Sequence, residues 1–223
     1  MNAAIGDVLP LAIGVAISPI PIIATILMLL APRAGSTATA FLAGWIAGIV
    51  VGYAVFVTIG SAVDLSSSSD GNAVTATVRV VLGLLLLGLA VKQWRNRPAP
   101  GEEPTMPGWL AAIDKVTPGK AFALGIGLSA VNPKNLLLIV GAAVAVTKLG
   151  VGAGAMVVTG IVFTVLAAST VAVPVIGYFT MRERATAWLN RLKGWLTANN
   201  AAVMAVLLLV IGTSLLGKGI GGY

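Results

Sequence analysis

Six long, mostly apolar runs dominate the sequence: Ile5–Ala31, Thr37–Gly60, Ala73–Val91, Ala121–Val146, Val151–Thr180 and Ala201–Gly217. A helix needs roughly 20 such residues to cross the hydrocarbon core of a bilayer, because it rises only about 1.5 Å per residue. A soluble fold would have to cover these runs with a charged shell, and the chain has none to offer, being 58% hydrophobic and 9% charged. The pattern therefore predicts an all-α polytopic membrane protein with six transmembrane helices. Arg79 interrupts the third run, near enough to one end for its guanidinium to reach the interface. Met1 to Leu11 contains Asp7 and no Lys or Arg, which argues for a retained first span over a cleaved signal.

Charge orients the spans. With six of them, the loops at 32–36, 92–120 and 181–200 share one side and carry Arg33, Lys92, Arg95, Arg97, Lys115, Lys120, Arg182, Arg184, Arg191 and Lys193. The other side holds Arg79, Lys148 and Lys218 beside Asp7, Asp64 and Asp70. This asymmetry predicts a multi-pass protein of the inner (plasma) membrane of a bacterium, with both termini outside. The net charge of +7 is carried in short loops, so it speaks for contact with membrane lipids and against a nucleic-acid partner. Within the last cytoplasmic loop, Trp188, Leu189, Leu192, Trp195 and Leu196 fall on one helical face, which predicts an interfacial amphipathic helix at about residues 182–197. Residues 95–108 are rich in Pro, Gly and charge, so the chain divides into a first three-helix repeat (1–96), a cytoplasmic linker (97–118) and a second three-helix repeat (119–223).

The two halves resemble each other where their first helices should break. A shift of 114 residues sets Ser18-Pro19-Ile20-Pro21 against Asn132-Pro133-Lys134-Asn135, each after a Gly-containing apolar run. Three spans per half is an odd number, so a duplicated unit sits in the membrane in opposite orientations, as two inverted repeats. Proline inside a helix removes a backbone donor and clashes with the preceding turn; the first and fourth helices should break there. Freed carbonyls survive in hydrocarbon only with protein or water partners, which Ser18, Asn132 and Asn135 could supply around a central polar cavity. The half-helices that follow the breaks would direct their positive ends at the midplane. Lys134 adds a full charge there, at a cost of at least about 3 kcal/mol on the most lenient insertion scale. It either binds a substrate or pairs with backbone carbonyls. Ser169, Thr170 and Pro174 in the fifth span are further candidates for the cavity wall. Gly44, Gly48 and Gly52 form a small-residue stripe that fits close helix packing, inside one chain or across a possible homodimer.

What the chain lacks bounds its chemistry. It has no Cys and no His, and no Asp or Glu falls in the middle of a span. The residues therefore point away from an enzyme, a metal site or a cofactor, and away from a carboxylate proton relay, leaving Lys134 to carry a proton if one is carried.

Those two break motifs carry a resemblance to a known group. Ser18-Pro19-Ile20-Pro21 and Asn132-Pro133-Lys134-Asn135 resemble the paired motifs of the LysE-type transporter superfamily. Ile17–Ala34 (ISPIPIIATILMLLAPRA) with Ser129–Asn135 (SAVNPKN) is most similar to its GAP or Sap branch, whose actinobacterial members are associated with moving glycopeptidolipids or sulfolipids to the cell surface. The amino-acid exporters of the superfamily begin with a Pro-Gly-Pro-type motif, from which Ser-Pro-Ile-Pro departs. The resemblance implies Ser18, Pro19, Pro21, Asn132, Pro133, Lys134 and Asn135 as the substrate-binding site, the positions that the breaks single out. The resulting expectation is a transporter or flippase that exports an anionic or amphipathic envelope lipid by alternating access. The alternatives are a small-solute exporter of amino acids or organic anions, and a noncatalytic adaptor of a lipid-export machine.

Overall fold

Two proline-marked breaks organise the fold. The computed structural model describes residues 2–62, 69–98, 107–181 and 183–222. Helix α1 (Asn2–Ala16) ends just before Ser18, and α2 (Pro19–Leu30) leaves at a bend of 52°. In the second half α5 (Pro118–Ile126) passes into a short π-helical stretch (Gly127–Val131), and α6 (Pro133–Lys148) departs at 60°. Both second segments start on proline, whose fixed φ suits the first helical turn and whose missing N–H costs nothing there. Each bent pair has the length and composition of one broken span; the unbroken candidates are α3 (Ala34–Ala62), α4 (Ser69–Arg95), α7 (Ala153–Met181) and α8 (Glu183–Ile220). Among the described residues four helices are each long and apolar enough to cross a membrane, and the number is six when each bent pair counts as one span. The chain is a multi-pass membrane protein, and its described residues contain helices and no strand.

Both halves run in the same order: a broken span, a 29-residue helix and a long helix. Their neighbours correspond as well. α3 packs on α5 as α7 packs on α1, α2 meets α8 as α6 meets α4, and the like pairs α3–α7 and α4–α8 touch directly. Trp45 Nε1 donates to Ala167 O (3.4 Å) and Tyr53 Oη to Met156 O (3.1 Å), so the buried polar tips of α3 aromatics find acceptors on α7. The outward faces stay apolar, with Val51, Val157, Ile161 and Val165 each more than half exposed, as a lipid-facing surface requires.

The glycine stripe of α3 is used within the chain. A Cβ on Gly44 would overlap the carbonyl of Phe122 in α5, and one on Gly48 would overlap Ser129 Oγ in the π-helical stretch. Only a missing side chain lets these backbones approach so closely. A second glycine contact closes one end of the α4–α8 pair: a Cβ on Gly83 would lie 2.8 Å from Leu216 N, and one on Gly219 2.8 Å from Val80 N. Further along α4, Gly88 faces open space.

Two segments depart from the sequence reading. The amphipathic stretch at about 182–197 is helical, but it is not a separate element: it runs unbroken into the sixth span as the first part of the 38-residue α8. Its face is split, with Leu189 and Leu196 buried in the core and Trp188 and Trp195 exposed. Of the linker at 97–118, residues 99–106 lie outside the described residues, whereas Gly108–Lys115 forms a 3-10 helix. Leu110 and Ile113 anchor it in the core, and it packs against α2. The Arg79 guanidinium lies 4.0 Å from the Asp7 carboxylate.

The glycine contacts make the first testable statement. Gly44→Val should lower stability by about 1–3 kcal/mol, because the added atoms meet backbone that cannot rotate away. Gly88→Ala should leave stability unchanged or raise it slightly through helix propensity. Reversible unfolding of the purified protein in mixed micelles measures both.

Candidate functional site

An α-helix ends with four backbone carbonyls that lack intrahelical partners, and breaking a helix inside a bilayer puts them where water is scarce. At the break after α1 those carbonyls belong to Gly14, Val15, Ala16 and Ile17, and each finds a side-chain donor. Lys134 Nζ donates to Gly14 O (2.7 Å) and Ile17 O (3.2 Å), Ser18 Oγ to Val15 O (2.8 Å), and Thr170 Oγ1 to Ala16 O (2.5 Å). Lys134 directs its third donor at Ser18 Oγ (2.6 Å). The ammonium group is thus fully hydrogen-bonded in a site where Lys134 is only 5% exposed. Its carbonyl partners form the negative end of the α1 dipole, which favours a cation. Among the described residues no carboxylate pairs with it: the charge is balanced by dipoles alone.

The second break is held by its own asparagines. Asn132 caps α6 by accepting from Lys134 N at 3.0 Å, and its carbonyl accepts from Leu136 N at 2.9 Å. Asn135 is fully buried, its Nδ2 donating to Leu128 O (2.9 Å) across the π-helical stretch while its Oδ1 lies 3.3 Å from Ser18 Oγ. The hydroxyl of Ser18 has one proton, and the shorter contact to Val15 O claims it.

A cavity of about 180 Å³ opens beside the breaks. Six of the seven residues singled out by sequence line it: Ser18, Pro19, Pro21, Asn132, Pro133 and Lys134. Asn135 does not; it tightens the break from behind. The opposite wall comes from Leu89 and Gln93 on α4 and from Asn200, Met204 and Leu208 on α8. The cavity therefore occupies the stretch of the α4–α8 pair away from its glycine-closed end. Gln93 and Asn200 were not anticipated. Both sit where an apolar run ends, which reads as interface, and only the unbroken course of α8 carries Asn200 into the wall. Of the fifth-span candidates, Thr170 reaches the first break, whereas Ser169 bonds back to Leu166 O of its own helix. Pro174 lies inside α7 and does not line the cavity.

The half-helix N-termini contribute less to anion binding than their positions promise. In α2 the prolines at residues 19 and 21 carry no N–H, and Ile22 N already donates to Ser18 O. In α6 Pro133 carries none and Lys134 N is taken by Asn132. Their dipoles still point positive ends at the cavity, but the strong donor there is the Lys134 ammonium.

A family model described as Sap, sulfolipid-1-addressing protein, matches residues 8–221. No curated protein and no solved structure shows a significant match to the chain.

Because Thr170 serves the α1 end from another span, Thr170→Val should leave Ala16 O with only its backbone donor, Ser18 N at 2.8 Å, and cost about 0.5–1.5 kcal/mol. Ser169→Ala, which removes only a bond within α7, should cost no more than about 0.5 kcal/mol. Chemical unfolding in mixed micelles distinguishes the two, and equal losses would remove Thr170 from the site.

Proposed function

Since the chain belongs to the sulfolipid-1-addressing (Sap) family, which covers residues 8–221, we propose that it exports an acidic envelope lipid of the sulfolipid type across the inner membrane, using Lys134 to bind the head group. The observation that carries this reading is the bonding of Lys134: a buried lysine Nζ held only by three neutral oxygens, two of them backbone carbonyls. Hydrogen bonds between two charged partners are roughly twice as strong as those to neutral ones, so an anionic oxygen entering the cavity can displace carbonyl partners that a neutral ligand cannot. A cavity of about 180 Å³ falls below the 300–1,000 Å³ typical of pockets that enclose a whole drug-sized ligand. It suits a head group, with acyl chains remaining in the lipid.

The mechanism follows from what Lys134 releases. When its ammonium turns to the cargo, the carbonyls of Gly14 and Ile17 lose their donors and α1 loses its tie to α6. Movement of α1 with its packed neighbour α7, relative to α6, then shifts access from one side of the site to the other, in the manner of two inverted repeats exchanging roles. The Lys/Arg-rich loops favour a cytoplasmic cavity end with both termini outside, and in that orientation this conformation is the one that loads cargo. The protein supplies binding and conformational change and no covalent chemistry.

Cells lacking the protein should lose one surface-exposed acidic lipid and accumulate it inside, as read by lipidomics of surface and cell fractions. Wild type should restore it and Lys134→Ala should not, at equal protein levels. Lys134→Arg should restore it only in part, because a planar guanidinium cannot reproduce the compact trio of bonds. Full rescue by Lys134→Ala would remove that residue from the mechanism. A change confined to small solutes in the medium would favour a solute exporter, and purified protein that moves no lipid in liposomes would favour an adaptor.

A further inference from the structure

The end of α1 far from Lys134 carries Asp7, and two cations from two other helices converge on it. Lys218 Nζ of α8 donates to Asp7 Oδ1 at 2.6 Å, and Arg79 Nη2 of α4 lies 4.0 Å from Asp7 Oδ2. The Arg79 side chain is only 12% exposed and sits within an apolar span, where an ionised group is costly unless it has a task. Among the described residues one carboxylate faces two cations, a surplus of one. The cluster is open on its outer side, with the Asp7 and Lys218 side chains 30% and 42% exposed; on its inner side Gly83, Gly212 and Gly219 bring the α4 and α8 backbones together, and Leu11, Leu82, Leu138 and Ile211 fill the space towards Lys134. The cavity lies on the other side of that plug.

We propose that Arg79 and Lys218 form a second anion site at the end that carries the termini, which Asp7 fills in this conformation and the acidic head group of the cargo fills on release. The inference rests on the export reading above. Its logic is exchange of like for like. A carboxylate and a sulfate or phosphate oxygen offer the same charge-assisted bonds to a guanidinium and an ammonium, so replacing one by the other keeps the cations paired throughout. α1 connects the two stations. Its C-terminal carbonyls hold Lys134 and its Asp7 holds the distal cations, so an anion at either station competes with α1 and loosens the same helix.

The chain contains no cysteine, so single-cysteine reporters need no background removal. Leu11→Cys lies on α1 between the two stations, at a residue 3% exposed, and Met204→Cys lies in the cavity wall. In nanodiscs, where both faces meet the reagent, Leu11→Cys should react slowly with a hydrophilic maleimide. Octyl sulfate should raise that rate about tenfold and lower the rate at Met204→Cys, as a shift between two states requires; octyl glucoside at the same concentration should do neither. Asp7→Asn should open Leu11→Cys without any anion, and Asp7→Glu should keep it closed, which separates a lost charge from a lost fold. Arg79→Gln with Lys218→Gln, which leaves only the Lys134 station, should cut the response to octyl sulfate severalfold. Lys134→Gln alone, with Arg79 and Lys218 intact, should stop lipid export but keep the octyl sulfate response at Leu11→Cys, so failure of the second site is read apart from failure of the first. The proposal is overturned if octyl glucoside acts as strongly as octyl sulfate, if Asp7→Asn labels at the wild-type rate, or if both reporters speed up together.

Discussion

The structure depends on how the carbonyl end of α1 is satisfied inside the membrane. Breaking a helix at that depth frees four carbonyls, each costing several kcal/mol if left bare in hydrocarbon. The chain answers with donors from three elements: Ser18 at the break itself, Thr170 from α7 and Lys134 from α6. The break is therefore stable only when the two halves are assembled. That makes the first broken span a joint between repeats, and it explains why the bends of 52° and 60° lie against one another and not at separate places in the molecule.

The same joint explains the presence of a charge. A serine or an asparagine could serve one or two carbonyls, and a lysine serves three acceptors while adding an ammonium that no carboxylate offsets among the described residues. Structural need alone would be met by a neutral donor, and Thr170 shows that the fold uses one where it suffices. The surplus at this position is charge itself. A buried cation balanced only by dipoles is the arrangement in which an arriving anion gains most, because it brings full opposite charge into a medium that screens poorly.

Much of this was legible in the sequence, for identifiable reasons. Span number follows from length and hydropathy, since a bilayer sets a minimum that few soluble helices meet. The breaks follow from Pro19, Pro21 and Pro133, whose backbone chemistry acts locally. Lys134 was conspicuous because charge is rare at that depth. What the sequence could not disclose is which groups meet. Thr170 is one hydroxyl among several in the fifth span, and its contact with Ala16 is created by helix packing. The stripe of Gly44 and Gly48 looks the same whether its partner is α5 or a second molecule. Asn200 follows Asn199 and reads as the edge of a span; yet α8 continues through both without interruption. In each case the deciding interaction is between residues far apart in the chain.

Proline placement at the half-helix starts bears on what kind of anion site this is. Helix N-termini commonly bind anions through their free N–H groups, but Pro19, Pro21 and Pro133 delete donors where those groups would be, and Asn132 occupies another. A rigid cage of backbone amides would hold a phosphate or sulfate firmly and release it slowly. Under the proposed export role, a single ammonium on a flexible stem, already bonded to α1, would hold it by exchange: every bond made to the cargo would replace one made to α1. Net affinity is then modest, while the conformational consequence is large, because the bonds given up are those that fix a helix. Low retention combined with strong coupling to a moving element is what passage across a membrane requires of a site, and tight storage of a ligand would require the opposite arrangement.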